Sequence, residues 1–359
     1  MKHRVNGINR VGLVNSDGHV IGLDIGATAV RAAVLAPGTH EGRPSVTVHG
    51  LGSAPLPPGA VTLGAVTNPL AVTTAIKEMW HAHKLNDRKV VLGITSQQVV
   101  VRDLSMPDLP VAELRAALPY QAREVIAIPV DQALIDFCPV GPADPGTNTV
   151  PGLLIAAPRK PVLAAVDAVE RAGLQVARVD LAAFAALRST ASGYQGVEMI
   201  IDVGAQLTSL IIHADGTPKV VRIVGHGSEE ITERLADRIG LSVEEAEEAK
   251  RTVGITADDE VSRVIRDILR PWYSEIRGSV HFYTTGAPGA PIERIGLTGG
   301  GAGMPGLAQS LADQHGIPSG VVTPMQHIRN RYSSKDVDPG AGELSATAVS
   351  VGLAMGAAA

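Results

Sequence analysis

A chain of 359 residues is long for one hydrophobic core, so two or more subdomains are expected. Hydrophobic residues make up 45% but aromatics only 3%, which leaves Ala, Val, Leu and Ile to build the cores. The net charge of −5 excludes a general nucleic-acid binder, and the one cysteine excludes an intramolecular disulfide and a cysteine-based metal site. That residue, Cys138, sits in the apolar run Leu134–Val140, where a buried, inert thiol is expected, and a reducing cytoplasm fits. Lys2 and Arg4 lead into Asn6, Gly7 and Asn9 rather than an apolar core, so no secretory signal is expected. No stretch reaches the roughly 20 apolar residues that cross a bilayer.

Taken in order, residues up to Gly18 are polar and turn-rich and read as a loose extension. Val20–Val34 is an apolar hairpin around Asp24-Ile25-Gly26-Ala27-Thr28. Pro37–Pro58 is rich in Gly and Pro and predicts loops around one short strand at Val46–Val48. Asn68 caps a helix with Pro69 at its first position, running to about His83. His81 and His83 are two apart and do not share a helix face, so they read as surface histidines. Val90–Thr95 is a buried strand, Gln98–Leu104 another, and Val111–Ala127 a helix that Pro119 must kink or split. Leu134–Val140 and Leu153–Ala157 are strands joined by a Pro/Gly/Asn loop, and Pro161–Ala172 is a helix stopped by Gly173. Residues 97–175 therefore form a small unit without convergent polar residues, which assigns it to partner contact.

Val176–Asp180 and an Ala-rich helix to about Ser192 return the chain to the first lobe, and Met199–Ile212 repeats the opening hairpin around Asp202-Val203-Gly204-Ala205. The stretch Gly225–Thr232 opens an amphipathic helix that runs to Ile239 and is ended by Gly240, and Ser242…Glu245 is a capping box for the next. Asp258–Thr284 predicts one or two helices interrupted at Pro271. Ile292–Leu297 is a strand followed by Thr298-Gly299-Gly300-Gly301-Ala302, then a helix from Leu307 to His315 and a short strand at Val321–Thr323. The tail Ala346–Ala359 lacks the basic face of an interfacial helix and reads as a buried terminal helix.

The chemistry lies in the turns. An Asp at the end of an apolar strand puts a carboxylate at the sheet edge, where it can hold a hydrated Mg²⁺. A Gly two residues later lets the backbone turn tightly, and successive N–H groups in such a turn cradle a phosphate oxygen. One Asp-x-Gly turn is common punctuation; two, in separate halves of the chain, suggest related lobes facing one ligand. Gly301, Gly303 and Gly306 spell a dinucleotide fingerprint, but Val321–Met325 offers no acidic residue to hold a ribose. No P-loop, nucleophile elbow or zinc-protease motif is present.

The order Asp-Ile-Gly-Ala-Thr, Asp-Val-Gly-Ala-Gln-Leu-Thr, Thr-Gly-Gly-Gly-Ala resembles the two phosphate loops and the adenosine loop of the actin-like ATPases, which include actin, the heat-shock chaperone ATPases, sugar kinases and FtsA. The runs Pro107–Leu114, Val130–Phe137, Leu153–Pro158 and Leu241–Lys250 resemble the PilM family of type IV pilus assembly proteins. The resemblance covers nearly the whole chain from about Val20. It implies an α/β actin-like ATPase fold of two ribonuclease-H-like lobes with an inserted small α+β subdomain. Residues 19–96 and 176–196 would form the first lobe, 97–175 the insert, 197–226 and 291–359 the second lobe, and 227–290 its helical subdomain, after the extension at 1–18.

By the same resemblance, ATP and Mg²⁺ are the expected cofactors. Asp24, Gly26, Ala27 and Thr28 would form the first phosphate loop, and Asp202, Gly204, Ala205, Gln206 and Thr208 the second. Gly227 would lie near the phosphates, Glu247 and Lys250 would touch ribose and base, and Gly300, Gly301 and Ala302 would pack on the adenosine. Asp24 and Asp202 would hold the metal through water. Arg31 stands where the family commonly has Lys, and His226 interrupts a Gly-Gly pair. No catalytic residue is identified; Gln206 is a weak candidate for positioning water, and hydrolysis is expected to be slow or absent. The implied role is a cytoplasmic scaffold, peripheral at the inner membrane through its partners. It would dock the N-terminal peptide of a PilN-like membrane protein and meet other pilus assembly proteins, with a homo-oligomer open and nucleic acid excluded. The rival readings are an FtsA-like polymerising division protein and a sugar-kinase-type phosphotransferase. The first wants an amphipathic C-terminal helix; the second wants a catalytic Asp in the first lobe.

Overall fold

The computed structural model describes residues 15, 18–40, 43–191, 194–286, 290–324, 329–330 and 341–358; the expected N-terminal extension lies almost wholly outside them. The chain opens with strands β1 (Val20–Ile25), β2 (Ala29–His40) and β3 (Arg43–Pro55), a tiny hairpin β4 (Val61–Thr62) and β5 (Ala65–Val66), helix α1 (Pro69–Ala82) and strand β6 (Lys89–Ile94). Next come β7 (Val100–Pro107), α2 (Val111–Ala122), β8 (Ala133–Pro139), β9 (Thr149–Pro158), α3 (Arg159–Arg171), β10 (Gln175–Leu181) and α4 (Ala182–Thr190). The second half has β11 (Val197–Val203), β12 (Thr208–Ala214), β13 (Thr217–Val224), α5 (Ser228–Ile239), α6 (Val243–Thr252) and α7 (Glu260–Gly286). It ends with β14 (Arg294–Thr298), α8 (Leu307–His315), β15 (Ser319–Val321), β16 (Arg329–Asn330), α9 (Ala341–Ser345) and α10 (Ala348–Ala358).

Two mixed sheets form the lobes. The first runs β10-β6-β1-β2-β3-β16 and the second β13-β12-β11-β14-β15. Each is built on an antiparallel hairpin of the expected kind, β1 with β2 and β11 with β12. Within the Gly- and Pro-rich stretch Pro37–Pro58, residues 37–40 and 43–55 are strand rather than loop. β2 reaches His40 and pairs antiparallel with β3 from Arg43 to Pro55, with a bulge between Val34 and Leu35.

Strand alternation divides the first sheet cleanly. Ile21, Leu23 and Ile25 join α1 and α3 in one core, whereas Val20, Ala33 and Leu35 join α4 and α10 in another. α3 therefore belongs to the first lobe and not to the insert, because Ala165, Ala168 and Val169 fit flat against Val72, Ala75 and Ile76 of α1. The insert keeps β7-β9-β8 and α2, around its own core of Met106, Leu118, Phe137 and Leu154. Its helix ends at Ala122, with Pro119 accommodated inside.

The terminal helix is buried as expected, but on the first lobe. α10 lies on β1, β2 and α4, and β16 pairs with β3, so these two elements sit on the first lobe rather than on the second, to which 291–359 was assigned, while Ser345 at the end of α9 still bonds to Thr298 and Gly299 of the second. The cause is steric. A Cβ on Gly22 would lie 2.0 Å from the Ser350 carbonyl oxygen, so only Gly lets the helix lie this close to the strand. Burying Val349, Val351 and Leu353 there is worth about 1.5–3 kcal/mol each. No helix among the described residues is long and apolar enough to cross a membrane.

α4 sits between the lobes. Its Ala182, Ala185 and Ala186 face α10 and the first sheet, while Ala183 and Leu187 pack with Ile200, Ile211 and Val221 of the second. The opposite face of the second sheet, with Met199, Ile201, Leu210 and Ile212, is covered by α5 to α8. α7 is a single helix that runs through Pro271, against the expected interruption. A proline there costs about 3 kcal/mol, and burial of Ile265, Ile268, Leu269, Trp272 and Ile276 on the same face offsets it.

Candidate functional site

The two hairpins bring their turns to the interlobe cleft. Asp24 closes β1 opposite Arg31 of β2, and the turn is pinned by the Gly26 amide donating to the Ala29 carbonyl at 3.0 Å. Asp202 closes β11 in the same manner, with the Gly204 amide donating to the Leu207 carbonyl at 3.0 Å. Ala27 is part-buried and Thr28 exposed at the rim of the first turn.

The second turn is held on two sides. The amides of Ser228 and Glu229, which open α5, donate to the carbonyls of Gly204 and Ala205 at 2.9 and 2.8 Å. A Cβ on Gly227 would lie 2.1 Å from the Ala205 carbonyl oxygen, so this approach requires glycine. The glycine-rich loop after β14 closes the other side. Gly299 has φ of 87°, and a Cβ on it would lie 2.4 Å from Asp202 Oδ1. The Gly301 amide donates to the Val203 carbonyl at 2.9 Å, and Gly300 faces open space. Ala302 is buried beneath it. Asp202, Gly204, Ala205, Gly227 and the Gly299–Gly301 backbone thus share one rim.

The carboxylates face each other electrostatically. Burial raises the pKa of Asp24, and the Arg31 guanidinium opposes that. Burial and then the charge of Asp24 push Asp202 up to about 7, again opposed by Arg31. Two carboxylates that repel in a desolvated cleft make a place for a hard divalent cation. No group of three or more His, Cys, Asp or Glu is arranged for a metal among the described residues. The donor set thus suits Mg²⁺, which keeps several waters and takes its other oxygens from phosphate. Arg31 makes no hydrogen bond or ion pair among the described residues; its guanidinium lies beside the first turn, where a Cβ on Gly26 would meet Nη1 at 3.2 Å, and its charge acts on both carboxylates.

Other predicted site residues have different surroundings. Thr208 is fully buried; its hydroxyl donates to the His226 carbonyl at 2.7 Å and accepts from Trp272 Nε1 at 3.2 Å. It supports the turn from beneath rather than facing the cleft. Lys250 is also buried, and its ammonium contacts the Ser228 carbonyl at 3.1 Å, Thr232 Oγ1 at 2.8 Å and Glu247 Oε2 at 2.5 Å. That ties α6 to the start of α5. Glu247 remains half-exposed beside it, with its pKa lowered by the bonds to Lys250 and Thr232 despite the opposing effect of burial. Gln206 is oriented by Glu229, to which its Nε2 donates at 2.9 Å. His226 is held by Glu230 at 2.8 Å, and Arg234 holds the same carboxylate.

Sequence reasoning missed Leu63, Gln97 and Glu229, which stand around these turns.

A sequence profile for the type IV pilus assembly protein PilM matches residues 22–358. The chain belongs to the PilM family. Among solved structures, a chain of the PilM-PilN type IV pilus biogenesis complex is 28% identical with a TM-score of 0.80, covering 94% of this chain and 98% of that one. The cell division protein FtsA of Bacillus subtilis is 26% identical over 199 residues, which is 49% of this chain and 44% of FtsA, so the match spans less than half of that relative. MreB5 of Spiroplasma citri bound to AMPPNP has a TM-score of 0.50 at 15% identity, covering 92% of this chain and 93% of its own, and shares the fold alone. The PilM architecture seen here is the actin-like ATPase fold, two α/β lobes carrying a small insert.

Proposed function

We propose that this PilM-family chain is an ATP-binding scaffold of type IV pilus assembly, working at the cytoplasmic face of the inner membrane through a PilN-like partner. The observation that carries the nucleotide is the pair Asp24 and Asp202, one from each lobe, each within the other's electrostatic reach. Mg²⁺, when bound, screens the triphosphate charge between the lobes. Asp24 and Asp202 would hold it through water, the amides of Ala27, Thr28, Ala205 and Gln206 would be offered to phosphate while those of Gly26 and Gly204 pin the turns, and Arg31 would add a guanidinium. Gly300, Gly301 and Ala302 form the platform for the adenosine, with Glu247 at its edge. A ligand gripping both lobes favours the lobe angle it fits better.

The partner peptide belongs in a second, apolar groove at the junction of the first lobe and the insert. Ile25, Val66, Ile94, Val99, Pro158 and Val162 line it, and Leu63, Leu70 and Leu163 are large exposed apolar residues in neighbouring elements. Such a groove suits a short apolar segment. Hydrolysis is slow or absent, because the nearest water-positioning side chain, Gln206, is already engaged with Glu229.

Isothermal titration of the full chain with ATP in Mg²⁺ tests this reading. One site per chain is expected, lost in Asp24→Asn. No heat of binding in any nucleotide would remove the basis for the scaffold's nucleotide control.

A further inference from the structure

The nucleotide cleft and the apolar groove share one small element. The β4–β5 hairpin turns at Leu63 and Gly64, with φ of 47° and 82°. Positive φ is uncommon for a bulky residue such as Leu. This turn aims the Leu63 amide at the other lobe, where it donates to Gln206 Oε1 at 2.8 Å. Gln206 stands in the Asp202 turn, and Glu229 at the start of α5 fixes its carboxamide from behind at 2.9 Å. The far side of the same hairpin is packed on the neck of the insert. A Cβ on Gly64 would lie 1.9 Å from the Thr95 carbonyl oxygen, and Gly64, Val66, Thr95 and Ser96 are wall residues of the groove. One residue further, the Gln97 carboxamide lies against Gly225 of the second lobe, where a Cβ would meet it at 2.9 Å.

We propose that residues 61–66, clasped by Gln206, are the strap that transmits nucleotide state to the peptide groove. The inference rests on the reading of those two sites given above. With the lobes closed, Gln206 holds Leu63 and the hairpin is pressed against Thr95 as a fixed groove wall. When the lobes part, the bond from Leu63 to Gln206 is lost and the wall is released. Gln206 is thus a positioning residue that acts through the hairpin, not a residue that orients attacking water. A single neutral hydrogen bond sets the scale: nucleotide should change peptide affinity by about two- to tenfold through this contact.

Hydrogen exchange of the Leu63 amide in the full chain, with and without Mg-ATP, reads the strap directly, because that amide sits at an exposed hairpin tip. A fluorescent synthetic peptide of the PilN-like partner's cytoplasmic N-terminus reads the groove, and thermal unfolding reads nucleotide binding. In the wild type, Mg-ATP should raise the unfolding temperature, slow Leu63 exchange and shift peptide affinity. In Glu229→Ala, which frees the Gln206 carboxamide, Mg-ATP should still raise the unfolding temperature, while Leu63 exchange and peptide affinity become insensitive to it. Gln206→Ala should lose the same coupling. If Mg-ATP stabilises the wild type but Leu63 exchanges equally fast with and without it, the strap is wrong and the nucleotide reading stands. Full coupling retained in both variants would overturn the strap equally. If Mg-ATP does not stabilise the wild type at all, the nucleotide reading and the strap both fall.

Discussion

Asp24 reaches across the cleft to raise the pKa of Asp202, and Arg31, the cross-strand neighbour of Asp24, works against it. That relationship fixes the sign of a pH dependence. Burial first, and then the charge of Asp24, push the Asp202 carboxyl from the ordinary carboxylate range up to about 7 in the folded chain. A carboxyl with a raised folded pKa stabilises the fold while protonated, and that stability is lost as pH rises toward the folded pKa. The ligand-free protein should lose stability between about pH 4 and 7, at no more than about 1.4 kcal/mol per pH unit from this group. Asp202→Asn should flatten that slope in urea unfolding across the range. Mg²⁺ needs the ionised form, so Mg-ATP binding should tighten from pH 6 to 8 and release a proton as it does so.

Arg31 has no hydrogen-bonding partner among the described residues, so its removal should leave the fold nearly untouched. Arg31→Ala should weaken Mg-ATP binding about tenfold or more, the scale of a charge-assisted contact, while Arg31→Lys keeps the charge and most of the affinity. Equal affinities in wild type and Arg31→Ala would place the guanidinium outside the phosphate site.

Lys250 predicts the reverse pattern. Its ammonium holds Ser228, Thr232 and Glu247 together from a buried position. Lys250→Met should cost about 1–3 kcal/mol of stability, by loss of its bonds to polar groups that stay behind. Chemical unfolding measures this, and an unchanged midpoint would show that the network contributes nothing.

The twin Asp-x-Gly turns, the capped starts of α1 and α6 and the αL end of α5 at Gly240 were legible because each is a local event written in adjacent residues. The path of the last helix was not. Its apolar surface marks it as buried, but close approaches at distant positions, among them Gly22 more than three hundred residues earlier, decide which lobe receives it. The same holds for α3, whose small residues suit either neighbour, and for Pro271, which a well-buried helix carries without breaking. In the cleft, acids and glycines could be named from sequence. That Thr208 and Lys250 face inward, and that Leu63 meets Gln206, depend on contacts between distant segments.

Gly22 offers a test of that docking. Gly22→Ala drives a methyl group into the Ser350 carbonyl and should destabilise by about 1–3 kcal/mol or more, the range for overpacking. Thermal unfolding would report it as a lowered midpoint. An unaltered midpoint would mean that α10 does not lie on β1 in solution.

The central claim, a triphosphate held between the two acid corners, is tested most directly by thermal unfolding of the wild type, Asp24→Asn and Asp202→Asn with and without Mg-ATP. At a hundredfold excess over the dissociation constant, ligand should stabilise the wild type by about 2.7 kcal/mol. Both variants should lose most of that gain, although they belong to different lobes. A gain that survives in either one, or that is absent from the wild type, would contradict the account.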